Sequence, residues 1–306
     1  MVDPVMIAVG LGGLIALLIF LFSFNNIGET EVGLVSKRFG WKKLVDDNPV
    51  AFGGEPGYQA DLLMPGLRWK FCVLYKVEKF PFVQVPAGEI GVVIAQVGSP
   101  TPIGAKSAIY KKEFGNFCNL TDFVKLGGQK GIQRPVLNPG NFPIHPVGFL
   151  IVTKNRVYGL PISSELNEKR LTAESFGLRA EQLSWTIIKP EHRDDGKIVD
   201  VVGIVNVLDG NPLNSGDIAN RLGDFTDILT MEKADKPSAE VIEVLLGNKN
   251  NLHNNYQDFQ AFLDNGGKIG LQHDTLLYGA YALNPFLVKV ELMPMLVVKQ
   301  GEVAVI

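Results

Sequence analysis

The chain has 306 residues, and 29 Lys and Arg against 32 Asp and Glu leave a net charge of −3, which supplies no electrostatic footprint for nucleic acid. At 46% hydrophobic and 20% charged residues the composition excludes a disordered chain, and a mean hydropathy of +0.14 points towards a membrane. Only two cysteines, Cys72 and Cys118, are present, which excludes a disulfide-dense scaffold and a CxxC metal or redox site; they read as free thiols, with a single bridge as the alternative.

The first predicted element is a helix. Residues 5–24, VMIAVGLGGLIALLIFLFSF, carry no charge, and at about 1.5 Å per residue they match the roughly 30 Å of a hydrocarbon core. Ile7, Leu11, Leu14, Leu18 and Leu21 lie in this expected membrane anchor. No Lys or Arg precedes the run and no A-x-A-like site follows it, which favours a retained anchor over a cleaved signal peptide. Asp3 is the only charge before the span, whereas Lys37, Arg38, Lys42 and Lys43 follow it; that bias predicts a single-pass protein with its body on the cytoplasmic face. The same basic group, with Trp41 in its midst, is a candidate headgroup contact, the alternative being a solvated strand and turn.

Beyond the anchor, short Val- and Ile-rich runs bounded by Gly or Pro predict strands at 31–36, 83–85 and 91–97, with turns at Pro65-Gly66, 86–88 and Pro139-Gly140. Residues 71–82 form an aromatic strand. Its Phe71, Tyr75, Phe80 and Phe82 either fill a small β core or contact a membrane or a neighbouring protomer.

An internal repeat organises the body. A strand opening recurs at 31–35, at 88–93 and again at 301–306. A Gly-x-Gln turn recurs as Gly57-Tyr58-Gln59, Gly131-Ile132-Gln133 and Gly270-Leu271-Gln272. The first two lead to Leu63-Met64-Pro65-Gly66 and Leu137-Asn138-Pro139-Gly140; the third is matched to Leu283-Asn284-Pro285 after a longer gap. Helical character enters at 166–174, 217–230, 238–246 and 255–263, the last stopped by Asp264-Asn265-Gly266-Gly267. The expected divisions are 1–26, an anchor; 27–160, β-rich; and 161–306, α+β with a helical insertion and a third repeat start. The strand that opens at Gly301 stops midway, which suggests a natural continuation beyond 306, and no heptad run indicates a coiled coil.

At these residues the chain resembles the SPFH superfamily of stomatin, prohibitin and flotillin, most of all its large bacterial flotillin-like members. The resemblance rests on the apolar anchor, 28–35, Leu63-Met64-Pro65-Gly66-Leu67-Arg68-Trp69, 75–80 and 85–93, and again on 257–264 with the third repeat. It implies an α+β fold: a single transmembrane helix followed by tandem SPFH-like strand-turn modules with a helical insertion. It also implies a scaffold without catalysis that binds the lipid bilayer, forms homo-oligomers, organises membrane microdomains and modulates membrane proteases or other membrane proteins.

The search for chemistry agrees with that expectation. His145, His192, His253 and His273 stand outside metal-site spacings, so no metal or other cofactor is expected. No GxSxG elbow, phosphate-binding loop or GxGxxG is present, and His192-Arg193-Asp194 reads as a polar turn. Glu165, Glu168 and Glu174 read as a solvated helix face, and Asn119-Leu120-Thr121 is a glycosylation sequon only outside the cytoplasm. Two other readings stand beside the scaffold: a tethered enzyme with a site in 165–265, and an exported ligand-binding module with a Cys72–Cys118 bridge.

Overall fold

The computed structural model describes residues 4–44, 48–163, 171–192, 196, 198–222, 247–298 and 300–304, with side chains from residue 9 onward. The expected helices at 238–246 and most of 166–174 and 217–230 lie outside these residues, as do Glu165, Glu168, Arg193 and Asp194. Helix α1 (Pro4–Phe22) is followed by three modules of the same plan.

Module A contains β1 (Phe24–Ile27), β2 (Glu31–Lys37), β3 (Val50–Ala51), β4 (Gly57–Gln59), β5 (Gly66–Trp69) and β6 (Tyr75–Pro81). Strand β1 pairs antiparallel with β5, and β2 runs between β4 and β6. Module B repeats this with β7 (Val83–Val85), β8 (Gly91–Ala95), helix α2 (Leu120–Lys125), β9 (Gly131–Leu137), β10 (Gly140–Phe142), β11 (Phe149–Val152) and β12 (Val157–Tyr158). There β7 pairs with β10, and β8 lies between β9 and β11. Module C has β13 (Thr186–Ile188), the hairpin β14 (Glu191–His192) and β15 (Ile198–Val199), β16 (Val201–Val207), helix α3 (Phe259–Asp264), β17 (Gly270–Leu271), β18 (Gly279–Tyr281) and β19 (Val288–Pro294). Again β13 pairs with β18, and β16 lies between β17 and β19.

One glycine in each central strand shows how closely the modules correspond. A Cβ on Gly33 would meet Ile27, Leu63 and Val77; on Gly91, Val85, Leu137 and Ile151; on Gly203, Ile188, Leu276 and Val290. In each triplet the residues come from the leading strand, the turn and the last strand, so the three elements close over a position that only hydrogen fills. This sets the register of the third copy. Its central strand is 201–207, not 301–306, and its turn is Leu276-Leu277-Tyr278-Gly279 rather than Leu283-Asn284-Pro285. Gly279 carries φ 158°, as Gly140 carries 159°. From Gln to Leu is four positions in all three modules, so no longer gap exists.

The helical insertion also recurs. Asn119 caps α2 by accepting from the Asp122 N–H, and Asp258 caps α3 by accepting from the Ala261 N–H. Phe123 and Phe262 are fully buried, each lying where a Cβ on the second residue of a Gly-Gly pair, Gly128 or Gly267, would sit. Phe117 and Tyr256 precede the two helices at positive φ, 60° and 63°. In module A this place is taken by residues 38–44 and 48–56, which include the short strand β3.

The expected fold is corrected in two respects. Among the described residues strand outweighs helix, 34% against 16% with three α-helices, so small β-sheets replace the α+β plan. Among the described residues no helix is long and apolar enough to cross a membrane, and the transmembrane anchor, the single-pass localisation with a cytoplasmic body, and the membrane and SPFH assignment fall with that finding. The apolar run is shortened at its C-terminal end because the sheet captures it. Helix α1 stops at Phe22, Ser23 is buried, and Phe24 opens β1 opposite Trp69.

Candidate functional site

No group of three or more His, Cys, Asp or Glu residues able to hold a metal occurs among the described residues. What the structure does build is a docking joint between successive modules, and it builds the joint twice.

Each joint starts from the Gly-x-Gln turn. Gln59 Nε2 donates to the carbonyls of Glu55 and Gly57 at 2.8 and 2.9 Å; Gln133 Nε2 donates to those of Gln129 and Gly131 at 2.9 and 3.0 Å; Gln272 Nε2 donates to those of Lys268 and Gly270 at 2.9 and 2.8 Å. The side-chain amide thus closes its own turn, whose glycine has positive φ (111°, 102° and 102°), and leaves the glutamine backbone carbonyl facing the next module. That carbonyl is then taken. His145 of module B donates from Nε2 to Gln59 O at 3.0 Å, and Asn284 of module C donates from Nδ2 to Gln133 O at 2.9 Å and Arg134 O at 3.2 Å.

The two donors are held alike. His145 Nδ1 accepts the N–H groups of Val147 and Gly148 at 3.2 and 3.0 Å, so the ring proton sits on Nε2, aimed at module A. Asn284 Oδ1 accepts the Phe286 N–H at 3.1 Å, which orients its amide towards module B. His145 is 0% exposed, and burial pushes its imidazole down to about 4, opposed by its backbone hydrogen bonds and by Asp61. The joint therefore uses a neutral imidazole where its counterpart uses an amide.

A second contact accompanies the first. The Phe82 N–H donates to Thr30 O at 2.8 Å, and the Trp185 N–H to Gly88 O at 2.9 Å, so the leading strand of each module is tied just ahead of its predecessor's central strand. Apolar packing fills the space between. Leu34, Val50 and Ala60 of module A share a core with Phe114, Phe117, Phe123 and Phe149 of module B. Ile90, Val92 and Val152 of module B share another with Ala173, Leu178, Leu183 and Ala282.

Modules B and C are also joined by a polar network. Ser107 Oγ donates to Asp209 Oδ2 at 2.5 Å, Arg134 Nε donates to Ser107 Oγ at 3.1 Å, and Arg134 also bonds Gln260 Oε1. Burial holds the Arg134 guanidinium below its ordinary value, with Asp209 and Asp264 opposing. The cleft beside it, lined by Tyr110, Arg134, Asp258 and Gln260 among others, measures about 210 Å³, below the roughly 300 Å³ at which drug-sized ligand sites begin. Within it Gln260 Oε1 accepts from both Arg134 and the Tyr110 N–H, while Asp258 caps α3 through the Ala261 N–H.

The residues picked out by sequence fall elsewhere. Leu11, Leu14, Leu18 and Leu21 stand exposed on α1, and Ile7 lies outside the described side chains. Helix α1 is fixed to module A through Ser23, whose Oγ donates to Ile19 O at 2.7 Å and accepts the Cys72 N–H at 3.1 Å. Lys37 and Lys42 bond the carbonyls of Gly54 and Gly53 at 2.6 and 3.0 Å, and Arg38, Lys43 and a fully exposed Trp41 stand in solvent. Of the aromatic strand, Phe80 packs on the module A–B core, Tyr75 lies under Lys70 at 5.4 Å, Phe82 is half-buried and Phe71 is exposed. Cys72 and Cys118 are both free thiols. Residue 71 is the module A position equivalent to His145 and Asn284, and the same glutamine spacing that revealed the repeats locates all three.

No protein family, no curated protein and no solved structure matches the chain.

Proposed function

We propose that the chain is a non-catalytic scaffold: modules docked in series form its body, and copies associate laterally through α1. The observation that carries this reading is the state of α1. Every described side chain from residue 9 to 22 is exposed except Ile19, which is half-buried, and all of them are apolar or glycine. A helix apolar on every face gains about 25 cal/mol for each Å² it covers, and against α1 of a second copy it finds a surface of the same kind. The hydrogen bonds through Ser23 hold the helix to module A, so association through it fixes the bodies relative to one another.

Light scattering on the full chain tests the proposal. The wild type is expected to elute as discrete oligomers and the double variant Leu14→Glu, Leu18→Glu as a monomer. Equal masses for the two would remove lateral association through α1.

A further inference from the structure

We infer that residues 295–304 are the leading segment of a fourth module of this same repeat, and that the outward face of module C is the surface on which that module docks.

Three observations point the same way. First, the Met295 N–H donates to Asp200 O at 2.8 Å. Thr30, Gly88 and Asp200 each stand three residues ahead of the glycine in a central strand, Gly33, Gly91 and Gly203. Met295 therefore makes the contact that Phe82 makes for module B and Trp185 makes for module C.

Second, the residues that follow keep the pattern. Leu296, Val297 and Val298 stand where 83–85 and 186–188 form leading strands, and Gly301-Glu302-Val303 stands where Gly88-Glu89-Ile90 opens β8. Leu296 and Val298 are 81% and 46% exposed, whereas their counterparts Val83, Val85 and Ile188 are buried. The segment is placed like a leading strand but lacks the turn strand that covers one. Ala304 stands at the glycine position, and Lys299-Gln300 replace Pro86-Ala87.

Third, module C presents an acceptor like those already used. The Gln272 turn is closed by the same pair of hydrogen bonds as the Gln59 and Gln133 turns. Around it Leu271 and Met293 are exposed and Ile204 half-buried, whereas Val92 and Val152, the module B counterparts of Ile204 and Glu291, are covered by module C.

The occupant is accordingly a module of this repeat, continuing from residues 295–304, with an amide or imidazole twelve positions beyond its turn glutamine to donate to Gln272 O. The inference does not depend on how α1 is covered, and its test reads exchange rather than mass. The chain is extended after Ile306 with a copy of its own residues 94–160, which supplies the missing turn, last strand and His145 equivalent. Hydrogen exchange by mass spectrometry is compared with that of the unextended chain. Expected is at least tenfold slower exchange at 296–298 and 270–272, lost when the appended histidine is changed to alanine and restored when it is asparagine. Unchanged exchange at both segments, in this extension and in one copying module C residues 206–294, overturns the inference.

Discussion

His145 and Asn284 do one job with two chemistries, and pH separates them. Burial lowers both His145 and His253 from 6.5 to about 4. Between those values the unfolded chain binds protons that the folded chain refuses, so stability is complete above about pH 6.5 and falls as pH drops towards 4. Each shift corresponds to roughly 3 kcal/mol as an order of magnitude. Melting temperature measured across that window should therefore fall steeply in the wild type. His145→Asn, which installs the module C donor, should fall by about half as much, leaving the slope due to His253; an unchanged slope would show that His145 ionises freely in the fold. The three equivalent glycines offer a graded series. An added Cβ comes within 2.6 Å of Ile188 at Gly203, 2.9 Å of Ile27 at Gly33 and 3.2 Å of Val85 at Gly91. Unfolding free energies from urea titration are expected to drop most for Gly203→Ala, by about 1–3 kcal/mol, less for Gly33→Ala and least for Gly91→Ala.

At the scale of elements, Asn284 should decide whether modules B and C unfold together. Asn284→Ala removes the donors to Gln133 O and Arg134 O and leaves buried carbonyls unpaired, at a cost of about 1–3 kcal/mol. It should split one denaturation transition into two, and Asn284→His should restore the single transition; a single transition in the alanine variant would mean that the apolar contact alone couples the modules. The elements show what a sequence discloses. The Gly-x-Gln turns were legible because everything that makes them is local: a glycine at positive φ and an amide reaching carbonyls two and four residues back. The central strand of module C was not, because 201–207 lacks the acidic opening that 301–303 carries. Helix α2 has six residues, under two turns, too few for an apolar period to emerge. The joint was illegible for another reason. His145 and Asn284 bond backbone carbonyls 86 and 151 residues away, and a carbonyl carries no side-chain signal. An apolar run, read by length alone, gave no warning that β5 would take its last residue into a sheet.

At the scale of the whole molecule the three modules form a linear array in which each contacts its neighbours, with apolar cores spanning the joints. In such arrays stability is a sum of module and interface contributions, so end modules fray first. Limited proteolysis should cut 295–304 before any joint, since residues 295–298 and 300–304 are exposed and the Met295 N–H bonds Asp200 O of module C; first cleavage within 143–160 would contradict this ranking. The direction of the joint has a consequence for synthesis. His145 and Asn284 both reach backwards, each to a carbonyl that an earlier module has already placed. A chain emerging from the ribosome amino end first therefore always meets a finished template before it exposes the group that reads it. For these two contacts the order of assembly is the order of synthesis, each new module reading a turn that the one before it has already made.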